Sequence, residues 1–370
     1  MCASSCHAFG ECGGSPSAPC ACVFAGTDQA YQCDECWMNC RERIGSEFGD
    51  VGENHYADGL ALRDLRIANV SLDLPAFVPA ITRELPPQAV LPVVAAGMGD
   101  LFRRDPRAQI RTSPRLGNPE EFKRQLRCTP DGRVLAVLSG TDHALELLWH
   151  ADLSAIAPQF ANAGLTAITG PTFSVLGEHS VRPYHNLTML RRHHRIVQRL
   201  FDYGLDVIPN LYWRTDGGLY QWAEVLLGST IGTVSRDFSR TKNGPQFYAH
   251  LDGLLKLLRA VARPMHVVVV GVGVRKAAGV LARIQECGCT CTIVSADPVR
   301  LAINRGAQVF RRVNGELGIR VRPDLPRENL AIRNITVLSR ELRRIANPRQ
   351  RDPLPRMTER LRVSPSGTTL

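Results

Sequence analysis

The feature that most constrains this chain is a repeated alternation of short apolar runs with amphipathic segments of helical period. One complete unit lies at 165–214, where the apolar runs 166–169 and 206–209 flank an arginine-rich segment that begins after Pro183 and ends at Gly204. Proline near the start and glycine at the end are common boundary signals of a helix. A helix that connects two strands buried on both faces implies that the strands are parallel. The unit therefore predicts an α/β fold.

The same alternation recurs over 88–312. The predicted strands are 90–95, 134–138, 166–169, 206–209, 230–235, 266–270, 290–294 and 307–310, and the predicted helices are 119–126, 153–163, 183–204, 219–227, 246–262, 275–286 and 298–304. Eight strands alternating with helices favour a closed (β/α)8 barrel of the TIM type. An open doubly wound sheet is the alternative.

Four regions follow from this pattern. We predict a cysteine-rich metal-binding module at 1–45, a linker at 46–87, the barrel at 88–312, and an appendage with a basic tail at 313–370. In the appendage, Asn314-Gly315 lies between alternating residues and predicts the turn of a β-hairpin.

The first forty residues hold eight of the twelve cysteines. Glycines between them let the backbone bend toward an ion that short thiolate side chains can reach. The cysteine density predicts structural zinc first. An iron–sulfur cluster is the alternative, because Cys33, Cys36 and Cys40, spaced C-x2-C-x3-C, could supply four thiolates together with one remote cysteine. Free thiols or disulfides are a third interpretation. The cluster consists of Cys2 and the seven predicted metal ligands Cys6, Cys12, Cys20, Cys22, Cys33, Cys36 and Cys40.

Charge and hydropathy indicate the environment of the chain. No apolar run approaches the roughly 20 residues that span a bilayer, and the first thirty residues lack the pattern of a secretory signal. We therefore expect a cytoplasmic protein without membrane contact, where reduced thiols are available to a metal. The net charge is +10, and eight arginines against three acidic residues lie between Arg340 and Arg362. This basic tail could bind nucleic acid or could only maintain solubility.

In a barrel, the functional residues come from the loops that follow the strands. Carboxylates and histidine perform acid/base chemistry, arginine holds phosphate, and aromatic rings stack on a planar base. The predicted catalytic residues are Asp142, His143, Arg214, Arg236 and Asp237. The predicted substrate-binding residues are Asn210, Tyr212, Trp213, Ser174, Gly271 and Gly273.

Some of these residues have structural alternatives. Asp142 and Asp297 each precede a predicted helix, where aspartate is a preferred capping residue. Arg236 and Asp237 could instead form ion pairs in a solvated loop, and Trp213 could pack at the mouth of the barrel. The catalytic and structural interpretations of these residues both remain open at the level of sequence.

A glycine-rich turn follows the apolar run 266–270. Gly271-x-Gly273 resembles the start of a dinucleotide fingerprint, but the third glycine is Gly279 and position 276 is Lys276. The spacing therefore argues against nicotinamide-nucleotide binding. The loop could still offer backbone N–H groups to a phosphate.

Two clusters lie away from the predicted mouth. The run Arg191-Arg192-His193-His194-Arg195 is predicted to form a solvated face of an outer helix, with nucleic-acid contact as the alternative. Cys287, Cys289 and Cys291 fall where a helix gives way to a strand, and buried apolar cysteine is favoured there over metal binding.

The segment 141–273 resembles a family of bacterial, phage and plasmid proteins known only as a domain of unknown function. The resemblance rests on Asp142 with Trp149, Gly170-Pro171-Thr172-Phe173-Ser174, Val207-Ile208-Pro209-Asn210 with Trp213, and Thr233-Val234-Ser235. The chain has Gly170-Pro171-Thr172 where the family would have proline followed by aspartate. The resemblance implies a mobile-element context and assigns no reaction.

The leading hypothesis is a metal-containing barrel enzyme that acts on a nucleotide or nucleic acid through the residues at its mouth. Asp142 or Asp237 would be nucleophile or general base, the arginines would orient phosphate, and Trp213 would stack on a base. One alternative is a non-catalytic nucleic-acid-binding protein of a plasmid or phage. A second alternative is an iron–sulfur redox or radical enzyme.

Overall fold

The computed structural model describes residues 59–81, 85, 89–104, 110–175, 183–213, 216–241, 244–313 and 315–347. All of the predicted metal ligands, Cys6 to Cys40, lie outside these residues, as does the basic tail beyond residue 347. Among the described residues, no helix combines the length and hydropathy that a membrane span requires.

Twelve strands are found in the described part of the chain. They are β1 (Phe77–Pro79), β2 (Leu91–Gly97), β3 (Phe102–Arg104), β4 (Ile110–Thr112), β5 (Cys128–Val137), β6 (Leu165–Thr169), β7 (Val207–Ile208), β8 (Thr233–Asp237), β9 (His266–Val270), β10 (Thr290–Ser295), β11 (Ala307–Arg311) and β12 (Leu317–Val321).

The α-helices of the same residues connect these strands. They are α1 (Met98–Leu101), α2 (Pro119–Gln125), α3 (Asp142–Trp149), α4 (Leu153–Asn162), α5 (Pro183–Asp202), α6 (Asp216–Leu227), α7 (Gly244–Val261), α8 (Val274–Gln285), α9 (Asp297–Arg305) and α10 (Arg327–Ala346). Short 3-10 helices add Leu62–Asp64 and Pro114–Gly117.

Two four-stranded sheets form the centre of the fold. One has the order β1-β10-β9-β8 and the other β2-β5-β6-β7, and every pairing within them is parallel. Two isolated parallel bridges link the sheets, Ala80 with Ala95 and Asn210 with Ser235. The predicted α/β class with parallel strands is confirmed.

The eighth predicted strand requires a correction. The run 307–310 does form β11, but β11 pairs antiparallel with β12 in a separate hairpin. That hairpin turn was predicted at Asn314-Gly315, and Gly315 has a positive φ of 85°. Beside β10 lies β1 instead, which belongs to the segment predicted as a linker. Its three residues escape a search for apolar runs because Pro79 is one of them and Pro75 lies two positions before the first.

Two apolar clusters pack against opposite faces of the strands. Along β9, Val267 and Val269 belong to the cluster shared with the helices, whereas Val268 and Val270 belong to the second cluster. Successive side chains of a strand point to opposite faces, so a continuous valine run fills both. The second cluster joins residues of both sheets: Val70, Val78, Val93, Ala95, Leu135, Val137, Ala167, Ile208, Val268, Val270 and Val294.

The residues before β1 cover the amino ends of several strands. The Gly232 N–H donates to Asn69 Oδ1 at 2.8 Å, and the Thr233 hydroxyl donates to the Val70 carbonyl. The Thr292 hydroxyl donates to the Pro75 carbonyl at 2.8 Å. This part of the predicted linker 46–87 therefore packs as an integral piece of the core.

The helix α5 buries a run predicted to face solvent. Arg191, His193 and His194 are 8%, 0% and 3% exposed. The His194 Nδ1 meets the Leu60 carbonyl at 3.0 Å, because the segment before β1 covers this face of the helix. The solvated-face prediction is therefore wrong for these residues. The cysteine prediction is confirmed, since Cys289 and Cys291 are buried free thiols and Cys287 is half-buried.

Candidate active site

The loops that follow β5, β6, β7 and β8 meet at one face of the sheets, the carboxyl-end face. Parallel strands all end on the same side, so their following loops are neighbours. Side chains tie these loops together: Ser139 and Ser239 share a hydrogen bond of 3.1 Å. Arg240 donates to Ser174 Oγ at 2.8 Å and to the Gly140 carbonyl. The predicted convergence of these loops is therefore observed.

Asp237 ends β8 and is held at both carboxylate oxygens. Its Oδ2 accepts a hydrogen bond from the Thr172 hydroxyl at 3.0 Å, and its Oδ1 accepts one from the Ser239 N–H at 2.7 Å. Asn210 Nδ2 in turn donates to Thr172 Oγ1 at 3.3 Å. Contacts from three loops therefore fix the carboxylate in one orientation, which a general base or a nucleophile requires.

Arg236 points to the opposite face of β8, because neighbouring residues of a strand alternate. Its guanidinium is buried at 4% exposure, donates to the Leu211 carbonyl and lies 2.8 Å from His250 Nδ1. The same group lies 4.8 Å from the centre of the Trp213 ring. Burial lowers the pKa of Arg236 to about 10 and that of His250 to about 4. This position removes Arg236 from the candidate site.

The two predicted stacking residues are also engaged elsewhere. Tyr212 is buried, its hydroxyl donates to the Met189 carbonyl at 3.3 Å, and its ring meets His193 edge-on. Burial raises the pKa of Tyr212 well above its usual value. Trp213 packs against Arg236 and the backbone of Gly253. Neither ring lines the cavity described next, so both have structural roles.

A cavity of about 470 Å³ opens on the carboxyl-end face, and Asp237 is connected to it through Ser239 without lining it. Its volume lies in the range typical of small-molecule sites. Ser239, whose N–H holds Asp237, forms part of the wall. The other polar groups of the wall are Ser139, Asp100, Asp297, Arg300, Ser295 and the backbone of Gly97, Gly99, Gly271 and Gly273.

The glycine loop of this cavity depends on glycine for two reasons. Gly271 has a φ of 78°, and a Cβ there would lie 2.5 Å from Ser239 Cα. Gly273 is the N-cap of α8, whose first N–H, that of Val274, donates to Asp297 Oδ2 at 2.8 Å. The prediction that Asp297 caps its own helix is therefore wrong: Asp297 is the first residue of α9, whose N-cap is Ala296, and its carboxylate accepts from the first turn of α8 instead. Predicted backbone contacts of this loop with a phosphate remain untested.

The side chains of three predicted catalytic residues lie outside the described part of the chain. Asp142 and His143 start α3, but their side chains lie outside the described part of the chain, as does all of Arg214. Asn210 and Ser174 do reach the carboxyl-end face through their contacts with Thr172 and Arg240.

The sequence patterns did not indicate several residues that take part in the candidate site through contacts between distant positions. Thr172 and Ser239 hold Asp237, Arg240 connects the loops after β5 and β6, and Asp100 with Arg300 lines the cavity. Thr172 belongs to the loop identified from sequence, so the loop was found but its contact with Asp237, 65 positions away, was not. No sequence signal distinguishes Arg300 from other arginines of amphipathic helices.

No protein-family model and no curated protein matches this chain. The resemblance of 141–273 to a family of uncharacterised proteins therefore stays a prediction. Within the described ranges, no group of three or more His, Cys, Asp or Glu side chains could hold a metal ion.

Proposed function

We propose that the two sheets form one closed (β/α)8 barrel whose mouth is the carboxyl-end face. Two observations support this architecture. Bridges join the sheets at both of their edges, β1 to β2 and β7 to β8. The second apolar cluster also draws on seven of the eight parallel strands, as side chains filling the inside of a barrel would.

We further propose that the chain is an enzyme in which Asp237 acts as general base or nucleophile. The observation that carries this proposal is the carboxylate held at both oxygens by Thr172 and Ser239, of which Ser239 lines a cavity at the ends of the strands. Buried barrel residues that only stabilise the fold have no need of an open cavity beside them. Active sites of barrel enzymes lie at this face.

The cavity wall favours a nucleotide or another phosphorylated sugar as substrate. Arg300 lines the cavity and can pair with a phosphate. Asp100 and Asp297 supply carboxylate oxygens that can accept hydrogen bonds from sugar hydroxyls. The acidic side chains make a bare inorganic phosphate a poorer fit, because like charges repel.

The test begins with ligand-induced shifts of the unfolding temperature across nucleosides and their mono-, di- and triphosphates. Compounds that stabilise the protein are then assayed for product formation with the Asp237→Asn variant. We expect this variant to bind the ligand and to lose turnover by about 100-fold or more. Asp206→Asn is the matched control, because Asp206 is exposed and precedes β7 at the opposite side of the sheets. Unchanged turnover of Asp237→Asn would refute the assignment.

The alternative function is nucleic-acid binding without catalysis. The location of the positive charge favours it, since eight arginines lie between Arg340 and Arg362. The zinc proposed for Cys6 to Cys40, or the iron–sulfur cluster proposed as its alternative, is compatible with either function. Both functions therefore require separate tests.

A further inference from the structure

Net positive charge is concentrated in the part of the chain that starts at Arg305, the last residue of α9. Residues 305–347 carry ten arginines and four acidic residues, a net charge of +6, and residues 348–370 add a net +3. Together they hold nine of the ten net charges of the chain. Residues 1–58 hold nine acidic residues and two arginines, a net charge of −7, so residues 59–304, which include the parallel sheets and their connecting helices, carry a net +8. The 43 residues 305–347 carry +6, so the density of positive charge is higher in the part that contains the hairpin β11–β12 and α10.

The helix α10 has an apolar face and, opposite it, an exposed face that carries arginines. Its apolar face packs against α8, α9, β1 and β11, with Leu330, Leu338 and Leu342 fully buried. Residues at helical spacing on the other face are all exposed. This exposed face, the arginine stripe, consists of Asn329, Arg333, Thr336, Arg340, Arg343 and Asn347.

No carboxylate lies on the arginine stripe. The two acidic residues of α10 are Glu328, in the first turn and away from the stripe, and Glu341, which is buried at 6% exposure. Glu341 is already neutralised, by Arg344 at 2.7 Å and Arg311 at 3.5 Å. Arg333 and Arg340 have no side-chain partner among the described residues. Their full charge therefore faces solvent.

We infer that the arginine stripe binds the phosphate backbone of a nucleic-acid duplex. Arginine, asparagine and threonine are side chains that donate to phosphate oxygens. A surface that only maintains solubility mixes charges of both signs, whereas the stripe carries one sign. It also lacks aromatic rings, on which the bases of a single strand would stack.

The geometry of the helix suits a rigid partner. Seven residues separate Arg333 from Arg340, which places them about 10 Å apart along the axis, and the whole stripe is about 27 Å long. Five more arginines follow in sequence at 348–370, directly after the last residue of the stripe. The surface does not depend on the chemistry proposed for Asp237, because it lies on an outer helix.

The test measures binding of labelled DNA and RNA duplexes of about 20 base pairs by fluorescence anisotropy over a series of salt concentrations. The variant R333Q/R340Q removes two charges at positions with no protein partner, and glutamine retains helix propensity. Each lost phosphate contact should lower the slope of log K against log salt by about 0.9, so we expect a decrease of about 2. The control R115Q/R259Q removes two exposed charges elsewhere and should leave the slope unchanged.

Three outcomes would overturn the inference. The first is no duplex binding by the wild type at about 50 mM salt, where even non-specific binding is strong. The second is an equal loss in R115Q/R259Q, which would indicate a general charge effect. The third is binding to anionic phospholipid vesicles, but not to either duplex, with the same dependence on Arg333 and Arg340. Asp237→Asn should bind duplex like the wild type, so a failed turnover assay and a failed binding assay are distinguishable.

Discussion

Acidification should destabilise this protein through His193, which α5 buries completely beneath the carboxyl-end face. Its Nδ1 lies 2.8 Å from the Pro171 carbonyl, so Nδ1 carries the proton of the neutral ring. Its Nε2 is buried and meets no hydrogen-bond partner in the described part of the chain. Burial accordingly lowers the pKa of His193 from 6.5 to about 4. A second proton would place a charge where nothing accepts it.

The sign and size of the effect follow from proton linkage. Between pH 6.5 and pH 4 the unfolded chain binds more protons at this position than the folded chain, so stability falls as the pH falls. The full loss is about 3 kcal/mol, most of which is reached by about pH 4.5. His194 adds to the loss, since burial and the neighbouring His193 hold its pKa well below 6.5. Above about pH 7 neither residue contributes a slope.

The assay is urea unfolding of the wild type and His193→Asn between about pH 7.5 and pH 4.5. Asparagine keeps a donor near the position of Nδ1 but cannot be protonated. The variant is expected to be less stable at neutral pH and to lose about 2–3 kcal/mol less than the wild type on acidification. His150→Asn, at an exposed position, should follow the wild-type curve. A difference between wild type and His193→Asn that does not change with pH would refute the reasoning.

Two further predictions concern the glycine loop and the cysteine cluster. Gly271→Ala should destabilise the protein by about 2–4 kcal/mol in urea unfolding, because φ is positive and the new Cβ meets the Ser239 backbone. Gly279→Ala in α8 is the control, because a Cβ there meets nothing within 4 Å and the stability should rise by up to about 1 kcal/mol. An equal loss of stability in both variants would contradict the argument. Metal analysis of protein purified without oxygen should find zinc and no visible absorbance, and Cys33→Ser with Cys36→Ser should remove the metal whereas Cys287→Ser should not. Iron with visible absorbance would favour the iron–sulfur alternative.

Most of the sheet could be predicted from sequence because its strands are buried on both faces. Runs such as 266–270 are continuously apolar, and no polar face interrupts the signal. The strand β1 lacked that signal, since it has three residues and its partner β10 lies more than 200 positions away. The run 307–310 was assigned to the barrel on apolar content alone, although Gln308 alternates with buried neighbours as in a hairpin exposed on one side.

The candidate site was predictable as a set of loops and not as a set of contacts. Strand ends locate Thr172, Asn210 and Asp237 on one face, because parallel strands share a direction. Which atoms meet there depends on side-chain direction and on loop conformation. The hydrogen bond from Thr172 to Asp237 joins two loops that sequence spacing does not relate. Burial of His194 was equally invisible, since it requires the segment before β1 to cover α5.

The neighbours Arg236 and Asp237 illustrate how one position along a strand decides a role. Neighbouring side chains of a strand point to opposite faces of the sheet. Only one of the two can therefore point to the face on which it meets Thr172, and that residue is Asp237. Arg236 instead donates to the Leu211 carbonyl, next to Asn210, and so ties the end of β8 to the loop that follows β7. Asn210 donates to Thr172, which donates to Asp237. The buried guanidinium thus connects two of the strand ends whose loops hold the carboxylate, from the face of β8 opposite to Asp237.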